Sequence, residues 1–461
     1  MMQFGKSSWL PHAFWLAALL SFCLPVPANA QNKSVTITQQ VAGQAQAGPP
    51  VPVLTLEESI RLALENQPRI KGAQDRVKIQ RAVVGVAMSA YYPTLRAGQS
   101  YGANGARKQE TEQEGQVQLS FDYTLYNFGK REGAVQSERD TLEATRFNSV
   151  ATINDVILSV KQAYYQYLAA DALVRVREEA VKTRELLVNQ ARGFFEVGVR
   201  PKIDVARAEA NLFSEQANLI TAQNAAQIGL ANLKNVIGID ELPGRPVLPT
   251  EKIPIIAPTL TLDEARNTAY VTRPELKSFE AQRRAQDQNI AVARRNYLPD
   301  IVFGADLGRG FNSRNSVPNT PLQGSRGIPW TWQGFWDVGV SVNFSIFDGL
   351  RTSYRVQQAM ENYYLILAQE EQTKQAIALE VETSYLRITA SLGTIRANDA
   401  AVAAAKENLD LANGRYQVGV GTIIESTDAQ TTYTDAQTRY IGSVYDYKVA
   451  EALLVRAIGE R

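Results

Sequence analysis

Two stretches of this chain, Lys130 to Gly198 and Leu350 to Gly419, run for 69 and 70 residues without a proline. A proline inside a helix removes a backbone hydrogen bond and clashes with the preceding turn, so its absence over such lengths permits very long helices. Val150, Ile153, Ile157, Val160, Tyr164 and Tyr167 alternate spacings of three and four, which is a coiled-coil seam. Ala378, Val381, Tyr385, Ile388, Leu392 and Ile395 repeat it. At about 1.5 Å per residue each helix reaches roughly 100 Å. Helices of that length cannot fold back into one globule, so they must lie side by side as a rod or tube.

The chain is also written twice. "LTLEES" from Leu54 returns as "LTLDEA" from Leu260, and "YYPTL" from Tyr91 returns as "YLPDI" from Tyr297, both 206 positions on. "FEVGV" from Phe195 returns as "YQVGV" from Tyr416, now 221 positions on, so the second copy carries about 15 extra residues between Ile301 and Ser341. Residues 55–240 and 261–461 are the expected repeats, joined by the Pro-rich linker 241–260 and preceded by a flexible lead-in at 31–54. Within each repeat the expected order is helix, strand, strand, long helix, turn, helix.

Residues 1–30 read as a secretory signal: Lys6, the apolar run Ala13 to Leu24, and an Ala-x-Ala site at Ala28 and Ala30. Phe22 is too bulky for Cys23 to be a lipoprotein site. The only histidine, His12, and the only cysteine, Cys23, lie in that signal. The exported chain would then have no disulfide, thiolate nucleophile, histidine triad or His/Cys zinc site. No catalytic residue, metal or cofactor is expected. Lys plus Arg (48, including Lys6) and Asp plus Glu (47) balance, which argues against nucleic-acid binding. No later segment has 18 consecutive apolar residues, so a membrane role must use strands.

Strand patterning is present. Val117, Leu119, Phe121, Tyr123 and Leu125 alternate with polar residues, and so do Val338, Val340, Val342, Phe344 and Ile346. Nine or ten alternating residues match a tilted bilayer-spanning strand with these side chains towards lipid, although a half-buried soluble strand alternates in the same way. Trp330, Trp332 and Trp336 cluster just ahead of the second strand, as in an interfacial aromatic belt. Four such strands cannot close a barrel, yet unpaired edges are not tolerated in lipid, so several chains must pool their strands.

The two Val-Gly-Val turns, the "YYPTL" and "YLPDI" strand starts, and the strand ends "LYNFGKR" and "IFDGLR" resemble those of TolC-type outer-membrane efflux proteins from about residue 54 onwards. The resemblance implies a mainly helical fold with a membrane β-barrel segment. In it, a homotrimer forms a twelve-stranded barrel in outer-membrane lipid, standing on a long α-helical coiled-coil barrel that crosses the periplasm of a Gram-negative bacterium. It also implies a passive duct, partnered by a periplasmic adaptor and an inner-membrane pump of RND or ABC type. The residue reading leaves one rival fold open, an exported periplasmic rod or adaptor without a pore. A carboxylate-pair glycosidase is the enzyme alternative.

In the family picture the Val-Gly-Val turns are the helix tips furthest from the outer membrane. Val197, Gly198, Val199, Val418, Gly419 and Val420 are the expected adaptor contacts, while plain helix capping by the glycines is the simpler reading. Glu425 and Asp428 match acidic positions that ring the narrow end of family channels. Thr422 and Glu425 also read as a Thr-x-x-Glu capping box, which by itself accounts for Glu425. Asp204, three residues after Pro201, suits a helix N-terminus, and the resemblance gives it, with Tyr416, a part in holding the tube closed. Ile203 and Gly421 depart from the pattern, the latter standing where some relatives have arginine, so the closing network is expected to be rewired.

Overall fold

Pro68 and Pro274 interrupt what the sequence suggests is one helix at the start of each repeat. A proline pushes the residue before it out of the helical region: Gln67 has φ −65° and ψ 120°, and Arg273 has φ −60° and ψ 122°. Each repeat therefore begins with two helices. In chain order the elements of the computed structural model are β1 (Val53–Leu54), α1 (Leu56–Asn66), α2 (Pro68–Met88), β2 (Thr94–Asn104), β3 (Glu112–Tyr126), α3 (Lys130–Glu196) and α4 (Lys202–Ile237). Then follow β4 (Arg245–Pro246), α5 (Leu262–Thr272), α6 (Pro274–Arg295), β5 (Asp300–Asn312), β6 (Gln333–Asn343), α7 (Arg351–Gln417) and α8 (Ile423–Ala457). The structure describes residues 53–104, 112–247, 255, 260–312 and 332–460. The signal, nearly all of the lead-in, most of the extra residues of the second copy and Trp330 lie outside them. The last two residues assigned to the lead-in are not free: Val53 and Leu54 pair in parallel with Arg245 and Pro246 of the linker.

The long helices α3 and α7 have 67 residues each. Shorter helices stacked end to end match their length. Near the sheet, α2 packs on α3, and α6 lies between α3 and α7; further out α4 packs on α3, α3 on α8, and α8 on α7. At each join a side chain ahead of the interrupting proline caps the helix arriving from the far end. Gln67 Nε2 donates to the carbonyls of Asn235 (3.3 Å) and Val236 (2.6 Å) of α4. At the equivalent place Arg273 Nη1 donates to Arg456 O (3.1 Å) and Ala457 O (3.3 Å) of α8. Both satisfy carbonyls that a helix C-terminus leaves without partners.

Around the joins two matching cores form: Ala63, Ile70, Val156, Val160 and Ile237 in one, Ala269, Leu276, Ile377, Val381 and Ile458 in the other. Val160, Val381, Ile388 and Ile395 of the expected seams are buried. The second join adds an ion-pair cluster. Arg456 meets Glu380 (2.6 Å), Asp155 (2.6 Å) and Glu275 (3.2 Å), and Arg273 meets Glu380 (2.9 Å) and Glu275 (3.2 Å). Burial disfavours the Arg456 charge, but Glu380, Asp155 and Glu275 outweigh it and raise its pKa above the ordinary arginine value.

The four longer strands form one antiparallel sheet in the order β2-β3-β5-β6. Register partners share a face. Leu119 pairs with Ala97 and Leu307, and Leu307 with Trp336; Tyr123 pairs with Phe303, and Phe303 with Val340. One face is thus apolar from Ile301 and Val342 up to Trp336. The other carries Gln118, Ser120, Asp122, Asp306, Asp337 and Ser341. Phe311 stacks edgewise on Trp332 at 5.1 Å at one end of the sheet, and Tyr126 on Phe128 at 4.8 Å at the other. The apolar run of β5 from Ile301 to Leu307 ends at Arg309, which shares that face, and Phe311 follows it at the end of the sheet where Trp332 lies.

Phe344 and Ile346 do not belong to this face. β6 ends at Asn343, opposite Asp300, because Pro299 before Asp300 has no N–H to continue the ladder. Both side chains lie in the turn towards α7. That turn and its counterpart each use two consecutive left-handed residues at positions 221 apart, Phe128 (φ 54°) and Gly129 (φ 82°), then Gly349 (φ 68°) and Leu350 (φ 67°). Each corner thus has one glycine and one residue that is strained there, in opposite order.

Replacing Arg456 by Met removes three ion pairs that tie α8 to α3, α6 and α7. Its acidic partners are 23–40% exposed, so the expected loss is about 2 kcal/mol rather than the ~3–5 kcal/mol of a fully buried pair. Chemical denaturation of the detergent-extracted protein should show it, and an unchanged midpoint would make the cluster energetically idle.

Candidate functional site: the paired helix tips

Sixty-seven helical residues carry the α3–α4 and α7–α8 turns roughly 100 Å along the helix from the sheet. The two turns share the same capping hydrogen bonds. Gly198 (φ 74°) and Gly419 (φ 83°) take the left-handed conformation that ends a helix. Gly198 N donates to Phe195 O (3.0 Å) and Val199 N to Phe194 O (2.9 Å); Gly419 N donates to Tyr416 O (3.2 Å) and Val420 N to Arg415 O (3.1 Å). The capping satisfied here leaves Val197, Val199, Val418 and Val420 exposed at the extremity, with Phe195, Ile203 and Ile424 beside them. Capping by itself does not account for that apolar rim.

Between the tips is a small core of Leu187, Val188, Ala191 and Ala208 with Tyr416 and Ile423. Tyr416 is 0% exposed, and its ring meets Phe194 at 5.7 Å. Its hydroxyl has no hydrogen-bond partner among the described residues. Burial first, then the charge of Asp204, push the phenol pKa up, while Arg200 pulls it down. Asp204 and Tyr416 are therefore close enough to interact but are not bonded.

Arg200, which no sequence motif marks, links the two tips. Arg200 Nη2 donates to Gly419 O (3.0 Å) and Gly421 O (2.5 Å), and its guanidinium stands 5.5 Å from the Tyr416 ring centre. Arg200 occupies in the first tip the place that Gly421 occupies in the second. Gly421 cannot itself be arginine without moving the turn, because a Cβ there would be 3.0 Å from backbone atoms of Arg415 and Tyr416. Aligning the two tips at their offset of 221 would have exposed the exchange.

Glu425 and Asp428 both lie exposed on the first two turns of α8. The capping box is only half made: Thr422 Oγ1 accepts from Glu425 N at 3.2 Å, but the Glu425 carboxylate turns instead to Arg415 Nε at 3.5 Å. Asp428 lies near the buried Arg184 of α3. Arg415 and Arg184 were not legible as site residues.

A family model described as "Outer membrane efflux protein" matches residues 59–239 and 265–460. The chain belongs to this family. It is 26% identical to the outer membrane protein TolC of Vibrio cholerae over 414 residues, 88% of this chain and 90% of that one. It is also 26% identical to protein CyaE of Bordetella pertussis over 422 residues, 88% and 84% of the two chains. The Campylobacter jejuni CmeC outer membrane channel superposes with a TM-score of 0.74 at 18% identity, over 88% of this chain and 85% of that one. This efflux-family member is an outer-membrane channel of the efflux and secretion class, mainly helical with a membrane β-barrel segment, and it extends into the periplasm.

Replacing Arg200 by Ala removes both carbonyl bonds and the ring contact, a loss of about 1 kcal/mol for a half-buried group. Spin labels at Val197→Cys and Val418→Cys should then give a broader distance distribution than in the parent. An unchanged width would show that Arg200 does not hold the tips.

Proposed function

We propose that three copies of this chain close into a twelve-stranded barrel above a helical tube, which conducts cargo passively from an inner-membrane pump and its periplasmic adaptor. One observation carries this reading. The order β2-β3-β5-β6 leaves β2 and β6 as edges of a sheet whose outer face is apolar, and the order α4-α3-α8-α7 leaves the same flanks open below it. On α4, Phe213, Ile220 and Ile228 are exposed at near-heptad spacing, as are Leu365, Leu379 and Leu386 on α7. Joining β6 and α7 of one copy to β2 and α4 of the next keeps the strands antiparallel and covers both stripes. An even number of strands per copy allows a ring of copies to close without a mismatched pair.

The exposed valine rim at Val197, Val199, Val418 and Val420 suits an apolar adaptor surface. Glu425 and Asp428 would recur around the axis as a cation-attracting ring at the inner end. Arg200, Tyr416 and Asp204 would help to hold the resting tip, which dilates when adaptor and pump engage. Nothing in this scheme requires the channel to hydrolyse a substrate; the driving force comes from the pump.

In planar bilayers the double variant Glu425→Gln/Asp428→Asn should lower the K⁺/Cl⁻ permeability ratio roughly severalfold and weaken block by multivalent cations. An unchanged ratio would remove the ring from the account. A cysteine at Val199 or Val420 should cross-link in cells to a periplasmic adaptor. If the rim does not contact the adaptor, only positions far from the tips will do so.

A further inference from the structure

We infer that Arg184 sets the effective charge of the acidic ring proposed above, and that it does so only while the two hairpins of a chain stay together. Arg184 is on α3, in the first hairpin, and is 5% exposed. Its Nη2 donates to Thr427 O (3.3 Å) and Thr431 Oγ1 (2.9 Å), both on α8 in the second hairpin. These two residues bracket Asp428: Thr427 precedes it, and Thr431 is three positions on, on the same helix face. The guanidinium is thus held against the turn of α8 that carries Asp428.

Two further observations point to a charge held in place rather than neutralised. Nε and Nη1 of Arg184 have no hydrogen-bond partner among the described residues, so the group is only partly satisfied. Glu215 of α4 acts on Arg184 more strongly than Asp428 does, but it is itself paired with Arg177 at 3.0 Å, so it offsets the Arg184 charge only in part. A buried cation that is not cancelled by its own partner acts through a low dielectric on what lies next to it. Glu425 differs. Its arginine, Arg415, is on the adjoining helix of the same hairpin and travels with it.

The consequence is a selectivity that depends on the state of the tip. With the hairpins together, Arg184 offsets Asp428 and the ring attracts cations weakly. When α8 moves away from α3, Arg184 stays with the first hairpin, Asp428 loses its neighbour, and the inner mouth becomes more cation-attracting as it widens.

This rests on the ring reading, and the test separates the two. Reversal potentials under a KCl gradient are measured for the parent, Arg184→Met, Arg184→Lys, Asp428→Asn and Arg184→Met/Asp428→Asn, each first checked for assembly. Arg184→Met should raise the K⁺/Cl⁻ permeability ratio roughly twofold or more. Arg184→Lys, which keeps the charge but not the planar fork, should stay near the parent, and Asp428→Asn should cancel the effect of Arg184→Met. If Asp428→Asn lowers the ratio but Arg184→Met leaves it unchanged, the role assigned to Arg184 fails alone. Equal rises in Arg184→Met and Arg184→Lys would also overturn it, since geometry and not charge would then be responsible. If Asp428→Asn behaves as the parent, the ring and this inference fall together.

Discussion

The architecture depends on the two open edges of a four-stranded sheet. In water an edge strand can bond to solvent; in hydrocarbon each free N–H and C=O costs several kcal/mol. β2 and β6 are such edges, and the register that makes one face apolar leaves no way to satisfy them within one chain. The helical part has the same incompleteness, because α4 and α7 end the packing order with apolar stripes exposed. A sheet and a helical layer that are open on the same flanks have a common solution in a closed ring of copies, and the proposed function follows from that closure.

Duplication is what makes the two layers agree. Each repeat contributes two long strands, one 67-residue helix and three shorter helices, two of which stack end to end alongside it. The joins are equivalent, with Gln67 and Arg273 capping carbonyls at matching positions of α4 and α8, and yet they are chemically unequal. The second became an ion-pair cluster of two arginines and three carboxylates. The tips diverged as well: the arginine sits on the first and reaches the second. Divergence of the two halves turned a repeated turn into a paired device.

Much of the fold was legible in the sequence because it is periodic. The seam spacing around Val160 and Val381 located the long helices, and the alternation around Leu119 and Val340 located two strands and their apolar face. What failed did so for local reasons. Phe344 and Ile346 continue the alternation, but the partner strand stops at Pro299, which only the register reveals. The breaks at Pro68 and Pro274 are marked in the sequence by the prolines themselves. Arg184 could not be found by spacing, since its partners lie 243 and 247 positions away and a charged residue on a helix is ordinarily a solvated one, whereas Arg200 stands out only against Gly421 at the repeat offset.

The most direct measurement of the central claim is native mass spectrometry of the detergent-extracted protein. The account predicts a single species of three chains, with neither monomer nor dimer persisting under gentle activation. A stable monomer in the membrane fraction would contradict it, because a lone sheet would then be keeping both edges unpaired in lipid.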